Sequence, residues 1–364
     1  MTISDHDGFY MGQSSEALKI AAALNPRIVV IGGGTGLSTL LRGLKQYFDK
    51  ITAIVAVSDD GGSSGIIRQD LHMLPPGDIR NCILALANTE PTMDELLNYR
   101  FTEGPLKGHC FGNLFLAALN GISGSFDEAV ARMNEVLAVT GSVVPVTTSD
   151  VHLEALFEDG STVLGESSIF FHKKEHDCRI ARVRLVPENP PALPKALRAI
   201  DNADIIVLGP GSLYTSVIPN LLVDGIVDSI RRSRAQKIYV LNLMTQEGET
   251  ENYSAFDHVR EIFAHSCDGL FDLCLYNTDP IPTQFVDRYK TEDAQPVAID
   301  YENFEHSGVR LFGAGLYSKA GGFVRHDPLK LTAAIAGLFA GGLKAGQKNG
   351  LSDPSPVSKA PLSI

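Results

Sequence analysis

Tryptophan is absent from the 364 residues, so a platform for stacking a base or ring must come from tyrosine, phenylalanine or arginine. Basic residues are in deficit. Thirty-one Lys and Arg stand against 43 Asp and Glu, a net charge of −12, which argues against nonspecific binding to nucleic acid or to an anionic membrane. No apolar run reaches the length of a membrane span. The opening MTISDHDGFYMGQSS lacks a basic segment followed by an apolar one, so no secretory signal is expected. Cysteine is scarce. Cys82, Cys110, Cys178, Cys267 and Cys274 are odd in number and never at C-x-x-C spacing, as in reduced thiols of a cytoplasmic protein.

What the chain does have is glycine directly after apolar runs. Ile28 to Ile31 is short, apolar and rich in β-branched residues, as a strand buried on both faces should be. It runs into Gly32, Gly33, Gly34, Thr35 and Gly36. Leu37, Leu40, Leu41 and Leu44 then recur at helical spacing, and a second apolar run, Ile51 to Val57, ends on Ser58, Asp59 and Asp60. This is a βαβ unit whose first turn aims backbone N–H groups and a helix N-terminus at an anion. Two nucleotide motifs do not fit. The dinucleotide fingerprint G-x-G-x-x-G requires glycine where Leu37 stands, and a Walker loop requires a lysine that does not follow Gly36.

The length admits one large α/β domain or two smaller ones. Residues 1–26 read as an N-terminal extension, with a short helix over Ala17–Leu24. GGSSG (61–65) reads as a flexible turn, and LPPGDIRN (74–81) and GHCFGN (108–113) each precede a helix, with Asp78 suited to cap the first. From about 142 to 190 apolar and polar residues alternate around an Asp159-Gly160 turn, which predicts an antiparallel β insertion. His172-Lys-Lys-Glu-His176 matches the letters of an inverted zinc-protease motif, but it follows IFF between candidate strands and reads as a hairpin turn. The βα rhythm returns with Asp204 to Leu208 before GPGSLYTSVIPN, and with Ile238 to Leu241 before NLMTQEGET. A helix closes the pattern over Lys330–Leu343, and residues 344–364 read as a disordered tail.

The whole predicts a Rossmann-like, doubly wound, mostly parallel sheet, in which loops after the strands share one edge and ligands bind at the switch point. The loop candidates are Gly33, Gly34, Thr35 and Gly36 for phosphate, Gly211 and Ser212, and Asn242 and Thr245. Asp59 and Asp60 stand where such a unit contacts a ribose, or holds Mg²⁺ against a diphosphate. Arg80, near a helix start, is a candidate for phosphate oxygens, and His109 and Asn113 of GHCFGN complete the set.

IGGGTGLSTLLRGLK, SDDGGSSG, LPPGDIRN, GHCFGNLFLAAL, GPGSLYTSVIPNLL, NLMTQEGET and VRHDPLKL, in that order, resemble the YvcK-type gluconeogenesis factors of the CofD-like superfamily. The resemblance covers residues 27–343 and implies a single CofD-like domain in the cytoplasm. It implies binding of UDP-sugars such as UDP-N-acetylglucosamine, a role in cell shape and carbon metabolism, and Tyr289 and Arg325 as UDP-sugar contacts. The founding enzymes of the superfamily move 2-phospholactate from a guanosine diphosphate donor to a deazaflavin alcohol with Mg²⁺. Where they carry a tryptophan after the acidic pair this chain has GGSSG, so two readings stand: a regulator without turnover, and a CofD-like phosphotransferase. A homo-oligomer and an unidentified downstream protein partner stay open.

Overall fold

β1 (Ile28–Gly32) lies in the interior of a seven-stranded sheet, between β2 (Ile51–Val55) and a strand almost 180 residues further on, Ile205–Leu208. The computed structural model describes residues 16–176, 178–289, 293–318 and 323–349. Beyond β2 the sheet ends on β3 (Ser142–Pro145). A separate antiparallel sheet is built from β4 (His152–Phe157), β5 (Thr162–Leu164) and β6 (Ile180–Val186). The large sheet resumes with β7 (Ile205–Leu208), β8 (Gln236–Val240), β9 (Leu273–Asn277) and β10 (Arg310–Ala314), in the order β10-β9-β8-β7-β1-β2-β3 with every pairing parallel. β11 (Tyr317–Ser318) and β12 (Arg325–His326) form a short antiparallel ribbon.

The strand order reverses between β1 and β7, so this is a doubly wound α/β fold with its switch point at β1. β1 and β7 are buried at every residue, which requires cover on both faces and accounts for their unbroken apolar sequence. Helices supply that cover. In the crossover from β1 to β2 the helix Gly34–Leu44 buries Leu37, Leu40, Leu41 and Leu44, the leucines whose spacing predicts it.

The chain divides into two compact units. One comprises residues 25–332 and holds all three sheets; the other comprises residues 1–24 with 333–364. The second contains the helix over residues 16–24 and most of the helix Pro328–Asn349. That helix runs past Gly346, where the sequence predicts a disordered tail; residues 1–15 and 350–364 lie outside the described residues.

Three local expectations need correction. The GGSSG stretch is not a flexible turn: the helix Gly62–Leu71 begins inside it. The antiparallel sheet is narrower than residues 142–190, because Ser142–Pro145 joins the edge of the parallel sheet beside β2. The His172–His176 stretch lies at the end of a helix, Glu166–His176, which connects β5 to β6 and brings the two imidazole centroids to 4.4 Å. The Asp159-Gly160 turn is where the sequence places it. Gly160 has φ +84 and the Asp159 carboxylate accepts the Ser161 N–H at 2.8 Å.

Candidate functional site

β1, β2, β7 and β8 all lead, at their carboxyl ends, into one cavity of about 420 Å³. Its floor is the start of the Gly34–Leu44 helix. Gly33 there has extended backbone and no side chain to cap the helix, which leaves first-turn N–H groups to other partners. Gly34 has φ +67, a conformation only glycine adopts at little cost. Gly36 meets a different demand: a Cβ there would lie 2.6 Å from the Pro210 carbonyl oxygen, so glycine lets the two loops touch.

The loop after β7 forms the opposite wall. Asn242, just past β8, donates to the Gly211 carbonyl at 2.8 Å and accepts the Gly211 N–H at 3.2 Å, locking the two loops in register. The buried carboxylate of Glu249 accepts hydrogen bonds from the Ser212 hydroxyl, from the Thr215 hydroxyl at 3.1 Å and from the Tyr214 N–H at 3.4 Å. It fastens the far end of the NLMTQEGET loop under the π-helical turn Leu213–Val217.

A third wall is acidic. Asp59, Asp78 and Glu166 all line the cavity. Burial raises the pKa of each, and for Asp78 it carries the value up to about 7 with the help of the Asp59 charge. Glu166 is raised well above the ordinary carboxylate range, first by burial and then by Asp59, Asp78 and Glu249. Burial also raises the pKa of Glu249, against the hydrogen bonds from Ser212, Thr215 and Tyr214 that favour its charge. Glu166 opens the helix between β5 and β6, so the antiparallel insertion delivers one wall of the site.

The remaining wall comes from late in the chain. Tyr289, at the end of the helix Thr283–Tyr289, accepts the Val324 N–H on its hydroxyl at 3.2 Å and lines the cavity with Val324, Arg325 and His326. The Arg325 guanidinium lies 5.6 Å from the centroid of the Phe323 ring. His326 is buried, its pKa pushed down to about 4 by desolvation, and its Nε2 has no hydrogen-bond partner among the described residues.

Of the residues singled out from sequence, Gly33, Gly34, Thr35, Gly36, Asp59, Gly211, Ser212, Asn242, Thr245, Tyr289 and Arg325 line this cavity, and four do not. Asp60 turns away: its Oδ1 accepts the Ser167 N–H at 2.9 Å, in the first turn of the Glu166–His176 helix. Arg80 is buried with Nη1 3.1 Å from the Cys110 sulfur and 3.5 Å from the Asn98 oxygen. His109 and Asn113 meet at the Ser63 hydroxyl, each at 3.3 Å. The acids Asp78, Glu166 and Glu249 carry more of the site than their sequence signals suggest. In the sequence Asp78 reads only as a helix cap, Glu249 is one acid inside the NLMTQEGET motif, and Glu166 has no local signal. Among the described residues, no three His, Cys, Asp or Glu are grouped so as to hold a metal ion.

A second cavity, of about 460 Å³, runs beside β4 and β6 and away from the strand ends. Its Arg184 is already paired with Glu154 at 2.6 Å and Glu188 at 2.8 Å, which leaves it little to offer a ligand. The cavity at the switch point is the better candidate.

Comparisons with known proteins agree with this architecture. Residues 28–317 match the model of the family described as 2-phospho-L-lactate transferase CofD. A putative gluconeogenesis factor of Thermoanaerobacterium thermosulfurigenes is 53% identical over 323 residues, 88% of this chain and 100% of that protein. The gluconeogenesis factor of Bacillus subtilis is 45% identical over 315 residues, 86% of this chain and 98% of that protein. A crystal structure of a Bacillus halodurans protein, described elsewhere as a member of the UPF0052 family, superposes with a TM-score of 0.83 at 44% identity, covering 85% of this chain and 99% of the other. The chain belongs to the CofD family and, within it, to the gluconeogenesis factors.

Proposed function

We propose that this chain is a cytoplasmic regulatory protein that binds a nucleotide diphosphate sugar of the UDP-N-acetylglucosamine class, and acts in cell shape and carbon metabolism without turning the ligand over. One observation carries the reading. Tyr289 and Arg325, from opposite ends of a stretch of 37 residues late in the chain, enter the same cavity as the Gly33–Gly36 turn at the switch point. A helix N-terminus and an arginine together suit a diphosphate, and tyrosine gives the tryptophan-free chain a ring to place against a base.

The oxygen donors present suit a hard cation, but among the described residues they make no closed cage. Mg²⁺ is commonly held by one or two carboxylates plus phosphate oxygens and water, so Asp59 is the residue that would share it with a bound diphosphate. Asp60, committed to a helix N-terminus, would not.

Calorimetric titration with UDP-N-acetylglucosamine, followed by chromatography of the recovered ligand, tests the reading. Micromolar binding, about −8 kcal/mol, with the ligand recovered intact is the expected result. Stoichiometric consumption would favour the second reading, a CofD-like phosphotransferase working on a nucleotide-activated phospho-acid, which the family match supports.

A further inference from the structure

The helix Phe111–Gly121 contains no charged residue. Its inner side, with Gly112, Asn113, Leu116 and Ala117, is buried against the domain. A helix at the surface normally turns polar residues to the other side. Here Phe111, Leu114, Phe115, Ala118, Leu119 and Ile122 recur at spacings of three and four, and they make an outward stripe that is apolar throughout. Phe111, Leu114, Phe115 and Leu119 are partly exposed, Ala118 is open, and Ile122, just past the helix, is 70% exposed. The Phe111 and Phe115 rings stack along the stripe with centroids 6.3 Å apart. Tyr99, 49% exposed, extends it, because the Phe111 N–H donates to the Tyr99 carbonyl at 2.8 Å.

A contiguous apolar stripe of this kind marks a contact surface, and two of its features name a second copy of the chain as the occupant. The first is charge. At −12 each, two copies repel over most of their surface, whereas this helix carries nothing that repels. The second is the order of side-chain sizes. Let two copies of the helix cross antiparallel about a two-fold axis between Leu116 and Ala117. Phe111 then faces Ile122 of the second copy, Leu114 faces Leu119, and Phe115 faces Ala118. Ala118, small and next to the axis, leaves a hollow for the ring of Phe115, and symmetry fills the matching hollow in return. We propose that this stripe is the two-fold interface of a homodimer, with the two Phe111–Gly121 helices antiparallel. A stable interface takes about 800 Å² from each partner, so Tyr99 and the exposed Leu96 of the helix Pro91–Asn98 belong to it as well. The interface adjoins the strand-end cavity. Asn113, on the inner side of the same helix, donates to the Ser63 hydroxyl, and Ser63 lies in the first turn of the helix that follows Asp59.

Sedimentation velocity of the full chain at micromolar concentration tests the proposal, and the expected species has twice the chain mass of 39.2 kDa. Ala118→Glu sets two like charges beside the axis and should raise the dimer dissociation constant by about tenfold or more. Ile122→Lys serves as a second variant should Ala118→Glu fail to fold; thermal unfolding identifies the folded ones. Cysteine pairing reads the orientation. A mixture of Phe111→Cys and Ile122→Cys chains should cross-link under mild oxidation, and neither variant alone should do so above the wild-type background. A chain that sediments as a monomer overturns the proposal, whether a lipid bilayer or an unrelated protein then covers the stripe. A dimer left as tight as wild type by every folded variant overturns it too. Cross-linking of each cysteine variant with itself, and not in the mixture, would make the helices parallel and sink the antiparallel interface.

Discussion

Asp78 lies so close to Gly33, at the start of the helix after β1, that a Cβ on the glycine would come within 2.5 Å of Asp78 Oδ2, and the Gly34 N–H favours the charged form of that carboxyl. An acid of the protein therefore crowds the turn that the sequence assigns to a ligand phosphate. The remaining first-turn amides, at Thr35 and Gly36, are the ones left for an anion.

That contact has a pH signature. Asp78 titrates near 7 in the folded chain, against an ordinary value of about 4. The folded state thus holds the proton more tightly than the unfolded one. The stability this contributes is fully present below pH 4 and is lost as pH rises through 7. Asp78→Asn keeps an oxygen for the Gly34 amide and removes the charge. Urea unfolding at pH 4.5, 6 and 8 should show the variant gaining on the wild type as pH rises, by a few kcal/mol at most. A difference that does not change with pH would remove Asp78 as the titrating group.

Gly36 makes a prediction about packing. With a Cβ 2.6 Å from the Pro210 carbonyl oxygen, Gly36→Ala must push the helix start away from the loop after β7. Overpacking of this kind costs about 1–3 kcal/mol. Gly34→Ala meets only the Ser216 hydroxyl oxygen, at 3.6 Å, and suffers instead from φ +67, at roughly 1–2 kcal/mol. Thermal unfolding of both variants should show losses of these sizes. A Gly36→Ala protein as stable as the wild type would mean that the two loops are not in contact in solution.

Arg325 separates binding from folding. Its side chain is exposed beside Phe323, so Arg325→Ala should leave the unfolding transition within about 0.5 kcal/mol of wild type. A charge-assisted contact to a diphosphate is typically worth about 1.5–3 kcal/mol, so affinity for UDP-N-acetylglucosamine should fall roughly tenfold or more. Unchanged affinity, measured by the same calorimetry, would take Arg325 out of the site.

The parallel sheet was legible because its central strands are covered on both faces and so cannot alternate: Ile28 to Ile31 and Ile205 to Leu208 are apolar throughout. The Glu166–His176 helix was not legible. Its apolar residues Ile169, Phe170 and Phe171 are consecutive rather than spaced at three and four, and only Ile169 is fully buried among them. The site divides along the same line. Glycines and hydroxyls that follow a strand directly announce themselves, whereas Glu166 becomes a site residue only through the docking of a distant insertion. Arg80 and Asn113 looked functional at helix starts, but each is consumed by a buried polar contact that no local pattern reveals.

The two adjacent acids after β2 are split by the fold, and the split can be measured. Asp59 lines the cavity and accepts the Gly61 N–H at 2.8 Å. Asp60 points the other way and holds the Ser167 N–H at 2.9 Å, while Gly165, with φ +100, keeps clear of it; a Cβ there would lie 2.5 Å from Asp60 Oδ2. Asp60 therefore anchors the helix that carries Glu166. Asp60→Ala removes a cap-like contact worth about 0.5–2 kcal/mol, so amide hydrogen exchange across residues 166–176 should accelerate. Sugar-nucleotide affinity should fall with it, by the same factor whether magnesium is present or chelated. Asp59→Asn should do the reverse: exchange across 166–176 stays as in the wild type, and the gain in affinity that magnesium gives is diminished. Exchange and calorimetry on the two variants decide the matter. If Asp60→Ala alters the magnesium response more than Asp59→Asn does, the metal belongs to Asp60 and the division of labour described for this pair is wrong.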